Sequence, residues 1–259
     1  AKELGKDSVL VLASRDAQAL QVTQKEMEYM GYEAYAVPTD VRNADAVHAL
    51  AKYATSLGNV LRVIHTGGVS PADTGSDEIL DTNVLGTVHL TEAFYPILAE
   101  SGVMINFASL AAHTIEAPDE WYEVFDEYTN PDFYKKLKKL IEPFDTDKFA
   151  CAGMAYCLSK RFVIYYSQKN TVRFAARGCR ILSISPGSFM TPMHQKLLDN
   201  QPETAQMQLE SIPFKRWGHP YEIAGLVSFL CSPAAGFLTG TDILTDGGQT
   251  ANTFVSQLD

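Results

Sequence analysis

Short apolar runs rich in β-branched residues alternate with helical segments along the whole chain, and this alternation restricts the fold more than any other feature. The runs are VLVLA (9–13), YEAYAV (32–37), NVLRVIH (59–65), VMINFAS (103–109), RILSIS (180–185) and TDILTD (241–246). Between them, apolar residues recur at helical spacing over 16–30, 45–58, 77–99, about 152–176, 194–209 and 220–231, with Gly31 and Gly58 placed to stop the first two. Strand, helix and strand in succession build a parallel βαβ unit, and repeating the unit covers both faces of the sheet with helices. The expected fold is therefore α/β, a doubly wound parallel sheet, with VLVLA buried on both faces. No internal repeat and no Gly/Ser linker divides residues 1–259, which read as one domain.

Charge narrows the partners. Asp and Glu number 31 against 21 Lys and Arg, giving a net charge of −10. An acidic chain has no electrostatic footprint for nucleic acid or an anionic membrane, so neither is expected as a partner. No apolar stretch approaches the length of a bilayer span, and AKELGKDS at positions 1–8 lacks an apolar signal region. The four cysteines form no CxxC pair and read as small buried residues in a reducing, cytoplasmic setting. The six histidines are scattered without an HExxH, so no metal is expected.

A parallel sheet of this kind binds ligands beyond the carboxyl ends of its strands. In chain order those positions hold Ser14-Arg15, Asp40-Val41, Thr66-Gly67-Gly68, Ser109 and Pro186-Gly187. Tyr156 and Lys160, four residues apart, share one face of a helix. An ammonium beside a phenol favours phenolate and lowers the tyrosine pKa, which suits an acid/base acting on an alcohol or ketone. Among 12 tyrosines such a pair also arises by chance.

The chain carries more than the pair. Asp40-Val41, Asn83 in DTNVLG, Ser109, Tyr156 with Lys160, SPGSFMTPM (185–193), RWGHPYEIAGLVSFLCSPAAGFLTG (216–240) and TDGG (245–248) follow one another in a fixed order. In that order they resemble the single-domain branch of the short-chain dehydrogenase/reductase superfamily, which has a Rossmann-like sheet, over about residues 1–248. The resemblance implies hydride transfer between a nicotinamide cofactor and a ketone or secondary alcohol. It implies that Tyr156 is the acid/base and that Lys160 lowers its pKa and holds the ribose hydroxyls. Ser109 would hydrogen-bond the substrate oxygen, and Asn83 would anchor a water beside the lysine. Asp40 and Val41 would border the adenine. Thr66, Gly67 and Gly68 would keep a turn close to the cofactor, and Pro186, Gly187, Phe189 and Thr191 would lie at the nicotinamide. Family members are commonly dimers or tetramers built on the helices near 80–98 and 152–176, so a homodimer or homotetramer is expected, and the apolar run in FVIYYSQ (162–168) permits it.

The departures matter as much. HTGG (65–68) stands where the family has Asn-Asn-Ala-Gly, so His65 and Thr66 replace asparagines. The family opens with a strand and a glycine-rich TGxxxGxG turn that holds the diphosphate. The sequence has no such motif and starts at AKELG, which looks like the end of the helix after that turn. The expectation is that a preceding segment carries the motif; the alternative is a truncated relative that binds cofactor poorly. Ser14-Arg15 ends the second family strand without the acid that NAD-preferring members place there. A hydroxyl and a guanidinium suit a 2′-phosphate, so NADP(H) is preferred, with NAD(H) as the alternative.

The connection from Ser109 to Tyr156 is also longer than the family's. Its residues 110–150 hold Trp121, Tyr122, Phe125, Tyr128, Phe133, Tyr134, Phe144 and Phe149, acidic at 119–127 and basic at 135–140. This segment reads either as a lid on a bulky apolar substrate, such as a hydroxysteroid, or as a helical hairpin packing on its own core or on a second subunit. Long insertions at this place also occur in some hydroxysteroid dehydrogenases of the family. Met190, Met193, Leu197, Leu198 and Met207 form a second candidate substrate wall or plain packing. A non-catalytic binding or scaffold protein is the competing reading of the whole chain.

Overall fold

The computed structural model describes residues 7–72, 74–200 and 202–255, so AKELG and the side chains of Met193 and Leu197 lie outside the described residues. Strand β1 (Leu10–Ser14) leads through α1 (Ala17–Tyr29) to a parallel β2 (Ala34–Pro38). After α2 (Ala44–Leu57) the chain enters a second parallel sheet of β3 (Val60–His65), β4 (Leu98–Phe107), β5 (Arg180–Pro186) and β6 (Asp242–Thr245), hydrogen-bonded in that order. Asp16 and Asn43 accept backbone N–H groups at the starts of α1 and α2. Gly31, at φ 84°, takes the left-handed turn that closes α1.

The helix expected over 77–99 is a composite. It opens as α3 (Ser76–Ile79), widens to a π-helical turn at Leu80–Leu85, continues as α4 (Gly86–Phe94) and ends in a 3-10 turn at Tyr95–Ile97. Pro96 cannot continue an α-helix, so β4 starts at Leu98, five residues before the expected boundary. It ends at Phe107, which leaves Ser109 beyond the strand.

Register fixes what each sheet face carries. Ile64, Ile105 and Leu182 stand side by side in β3, β4 and β5, and Ile105 and Leu182 pack against α11 (Pro220–Leu230) through Val227 and Leu230. The opposite face carries the row His65, Asn106, Ser183, Asp242, on the side where Ser167 Oγ of α7 (Lys148–Lys169) accepts Asn106 Nδ2 at 3.0 Å.

The segment before α7 is a helical hairpin of α5 (Asp119–Asp126) and α6 (Phe133–Ile141). Its apolar stripe, Trp121, Phe125, Phe133, Leu137 and Ile141, joins Leu80 and Val84 of the π turn and Leu158, Phe162 and Tyr166 of α7 in one core cluster. Asp126 bonds Tyr165 and Lys169, each at 2.5 Å, and Lys138 pairs with Asp77 at 2.9 Å. The hairpin thus packs on the protein's own helices, and the run 162–168 faces inward beneath it instead of standing open to a second subunit.

The expectation that β1 is buried on both faces fails. Leu10 is buried, but Val11 and Leu12 are half-buried and Ala13 and Ser14 exposed. Among the described residues β1 pairs only with β2, and a gap of about 1020 Å³, lined by residues of both strands, lies between it and β3.

Candidate active site

The carboxyl end of β4 places the first group. Ala108 continues the sheet through its N–H to the Ile184 carbonyl (2.8 Å), and Ser109 then caps a 3-10 turn at Leu110–His113 by accepting the Ala111 N–H at 3.2 Å. Asp147 starts α7 by accepting the N–H groups of Phe149 and Ala150. Two turns on, α7 carries Tyr156, Ser159 and Lys160 on one face. Ser109 faces Tyr156 closely enough for its hydroxyl to pull the phenol's pKa down. Lys160 Nζ donates to the Phe107 carbonyl at 2.9 Å and lies 5.7 Å from the centre of the Tyr156 ring.

Asn83 sits in the π turn, where the extra residue per turn re-aims a side chain. Its Nδ2 donates to the Val69 carbonyl (3.0 Å) and to Ser159 Oγ (3.1 Å), and its Oδ1 accepts the Val69 N–H (2.9 Å). Ser159 in turn donates to the Tyr156 carbonyl at 2.8 Å. The two halves of the site are therefore locked together through Ser159, a buried residue that sequence reasoning missed although it directly precedes Lys160. Gly68 closes the group: a Cβ there would stand 3.2 Å from both Asn83 Oδ1 and Lys160 Nζ.

The electrostatics correct one expectation. Burial pushes the Tyr156 phenol up, with the Ser109 hydrogen bond pulling the other way, so the phenol is not lowered by its lysine here. The ammonium's close partner is the Phe107 carbonyl, and burial brings Lys160 itself down to about 8. His65 is fully buried, 3.2 Å from Thr87 Oγ1, and burial together with the Lys160 charge lowers it to about 4.

Other expected residues divide. Ser14, Arg15, Val41, Thr66, Gly67 and Gly68 all line the cleft between β1 and β3. Arg15 there donates to Glu78 Oε1 at 2.8 Å. Gly86 lets α4 approach Val41, whose Cγ2 a Cβ would meet at 2.6 Å. The Asp40 carboxylate turns to Arg42 instead, at 2.6 Å from Nη2, which holds it below the usual range. Pro186 ends β5, and Gly187 is a necessary glycine, since a Cβ would fall 2.8 Å from Asp246 Cα. Ser188 and Phe189 line a separate pocket of about 230 Å³ with Thr245 and Asp246. Thr191 Oγ1 accepts the His194 N–H at 3.2 Å, at the start of α9 (Pro192–Asn200).

These residues fit a dinucleotide at both ends. Ser14, Arg15 and Val41 offer a cation, a hydroxyl and an apolar edge at one end of the cleft. At the other, Lys160 keeps ammonium protons beyond the one given to Phe107, and the buried Thr82 Oγ1, which has no hydrogen-bond partner in the structure, also belongs to a residue of the cleft wall.

Comparison with known proteins bears on the family and the fold. A family profile described as short chain dehydrogenase matches residues 1–122, and one described as enoyl-(acyl carrier protein) reductase matches 147–250. Neither covers 123–146, which hold the end of α5 and all of α6. The chain is 31% identical over 256 residues to short-chain dehydrogenase/reductase bsc3 of Alternaria brassicicola, covering 97% of this chain and 90% of that one. Its fold is similar to a 7α-hydroxysteroid dehydrogenase complexed with NADH and 7-oxo glycochenodeoxycholic acid (TM-score 0.74, 23% identity, 95% and 88% of the two chains). It is similar also to a short chain dehydrogenase from Burkholderia cenocepacia J2315 in complex with NADP (TM-score 0.72, 20% identity, 93% and 87%).

Proposed function

The chain belongs to the short-chain dehydrogenase/reductase family, and from that premise we propose how its residues carry out NAD(P)-dependent oxidoreduction of a ketone or secondary alcohol. One observation carries the reading: Ser109, Tyr156 and Lys160 come together where β4 ends, with Lys160 beside Gly68 of the cleft wall. The bound nicotinamide supplies or accepts the hydride. In reduction, Ser109 Oγ and Tyr156 Oη hydrogen-bond the carbonyl oxygen, and Tyr156 Oη gives it a proton. The Lys160 ammonium, one proton engaged by the Phe107 carbonyl, offers the others to the ribose hydroxyls. The Asn83 side chain, engaged by Val69 and Ser159, keeps a lone pair on Oδ1 beside Gly68 for a water that returns the proton.

NADP(H) is the preferred cofactor on this reading, with NAD(H) as the alternative; the support is Arg15 at the cleft and the lack of an acid at the end of β1. A bulky apolar substrate of the hydroxysteroid kind rests on Met190, Leu198 and Met207 after β5. Self-association to a homodimer or homotetramer rests on Tyr221, Phe229 and Phe237, large apolar side chains left exposed, and not on 162–168. Free cysteines suit a cytoplasmic setting, and among the described residues no helix is long and apolar enough to cross a membrane.

The test is Tyr156→Phe. Turnover of a panel of ketones with NADPH is expected to fall by about 10²–10⁴, while NADPH affinity, read by quenching of intrinsic fluorescence, stays nearly unchanged. Undiminished turnover would remove Tyr156 from the chemistry.

A further inference from the structure

We propose that His113 is a positioning residue: its hydrogen bond to Asp242 ties the turn that carries Ser109 to the last strand and so sets the Ser109 hydroxyl against Tyr156. The inference rests on the reading of Ser109 given above.

The turn packs along α7, and Ala108 before it is hydrogen-bonded into the sheet, but its far end needs its own tie to β6. It is four residues of 3-10 helix, capped by Ser109 at one end and closed by His113 at the other. Such turns have poor hydrogen-bond geometry and rarely persist alone. Within it, the Ala112 N–H reaches the Ser109 carbonyl at 3.0 Å and the Thr114 N–H reaches Ala111 only at 3.5 Å. Its apolar contact is one buried methyl, Ala112, against Ala108, Val163 and Ile164. The polar anchor is His113. Its Nε2 donates to Asp242 Oδ2 at 2.9 Å and lies 3.3 Å from Ser185 Oγ.

The anchor point is rigid. Asp242 Oδ1 accepts Ser183 Oγ at 2.6 Å, so both carboxylate oxygens are engaged and the side chain has one orientation. Asp242 also ends the row of polar residues that crosses β3 to β6 on the face toward α7. Its side chain is only 8% exposed. A carboxylate this buried is costly without a donor, so the contact holds the histidine as firmly as the reverse. Hydrogen-bonded at its far end, the turn cannot slide along α7, and Ser109 at its near end keeps its place. A shift of about 1 Å in a group that positions substrate costs up to about 10²-fold in rate.

The experiment is a double-mutant cycle between Ser109→Ala and His113→Ala. The probe is 9,10-phenanthrenequinone, an aromatic diketone, with NADPH as reductant. His113→Ala is expected to lower kcat by about 10–100-fold with the KM for NADPH nearly unchanged. The same substitution placed on Ser109→Ala should have no further effect, since the group it positions is already gone. His113→Gln, which keeps a donor for Asp242, should recover most of the rate. Loss of rate that repeats in the Ser109→Ala background, or no loss at all, overturns the proposal. If Ser109→Ala alone leaves kcat unchanged, the reading of Ser109 fails first, and the positioning role falls with it. A readout independent of turnover is the crystal structure of the His113→Gln and His113→Ala proteins. Ser109 Oγ should move away from Tyr156 in the second and keep its place in the first; an unmoved Ser109 in both overturns the proposal.

Discussion

His65 shows how one substitution changes a site without adding a reactive group. Buried imidazole beside a buried ammonium stays neutral, and its pKa falls to about 4. Below pH 6.5 the unfolded chain takes up a proton here that the folded chain refuses until about pH 4. The contribution to stability is therefore complete above 6.5 and is lost as pH falls through that window, by about 3 kcal/mol in all. His65→Gln should remove most of this loss, which urea denaturation at pH 7.5 and pH 4.5 would measure. At this scale much was legible. Tyr156 and Lys160 lie one helical turn apart, so helical geometry alone brings them together. Ser109 and Asn83 came from their order in the chain. What could not be read is what burial does: the phenol rises instead of falling because burial penalises its charged form, while the lysine bonds the Phe107 carbonyl across 53 positions.

Elements were legible where local pattern decides them. Gly31 and Gly58 mark true ends, because backbone restrictions act on the residue itself; Pro96 marks one as well, but the apolar pattern carried the expected helix past it to 99. The π turn at Leu80–Leu85 was not legible, since its residues suit an α-helix as well and only the contacts of Asn83 distinguish the two. The aromatic density of 110–150 was visible, but sequence left open whether it lids a pocket or fills a core. Phe125 decides it: fully buried, with its ring 5.2 Å from Phe162 on α7. Phe125→Ala should cost about 3–5 kcal/mol in thermal or urea unfolding. Tyr29→Ala, on a ring that is 94% exposed at the end of α1, should change stability by less than about 0.5 kcal/mol. Similar losses from both would mean the hairpin adds no core.

For the whole molecule, strand and helix alternation foretold a parallel sheet, and the lack of the family's opening strand motif in the sequence foretold unpaired edges on β1 and β3, though not the pairing order. Pairing order in a parallel sheet depends on long crossovers, which carry no local signature. β1 and β2 rest on a small cluster around Leu10, Met27, Tyr32 and Ala34, whereas β4 and β5 lie between larger cores on both faces. Hydrogen exchange should therefore release the amides shared by β1 and β2 on the order of 100-fold sooner than those shared by β4 and β5. Equal protection in the two sheets would show one cooperative unit. The bond between His113 and Asp242 has a consequence during synthesis. Its partners are 129 positions apart. A ribosome adding about 5–20 residues each second needs roughly 6–26 s to pass from one to the other. Over that interval the nascent chain already holds Ser109, and then Tyr156, with nothing yet made to fasten the turn between them. A product terminated before Asp242 contains every reacting group but lacks this tie, so its turnover is expected to fall by at least the roughly 10–100-fold of His113→Ala.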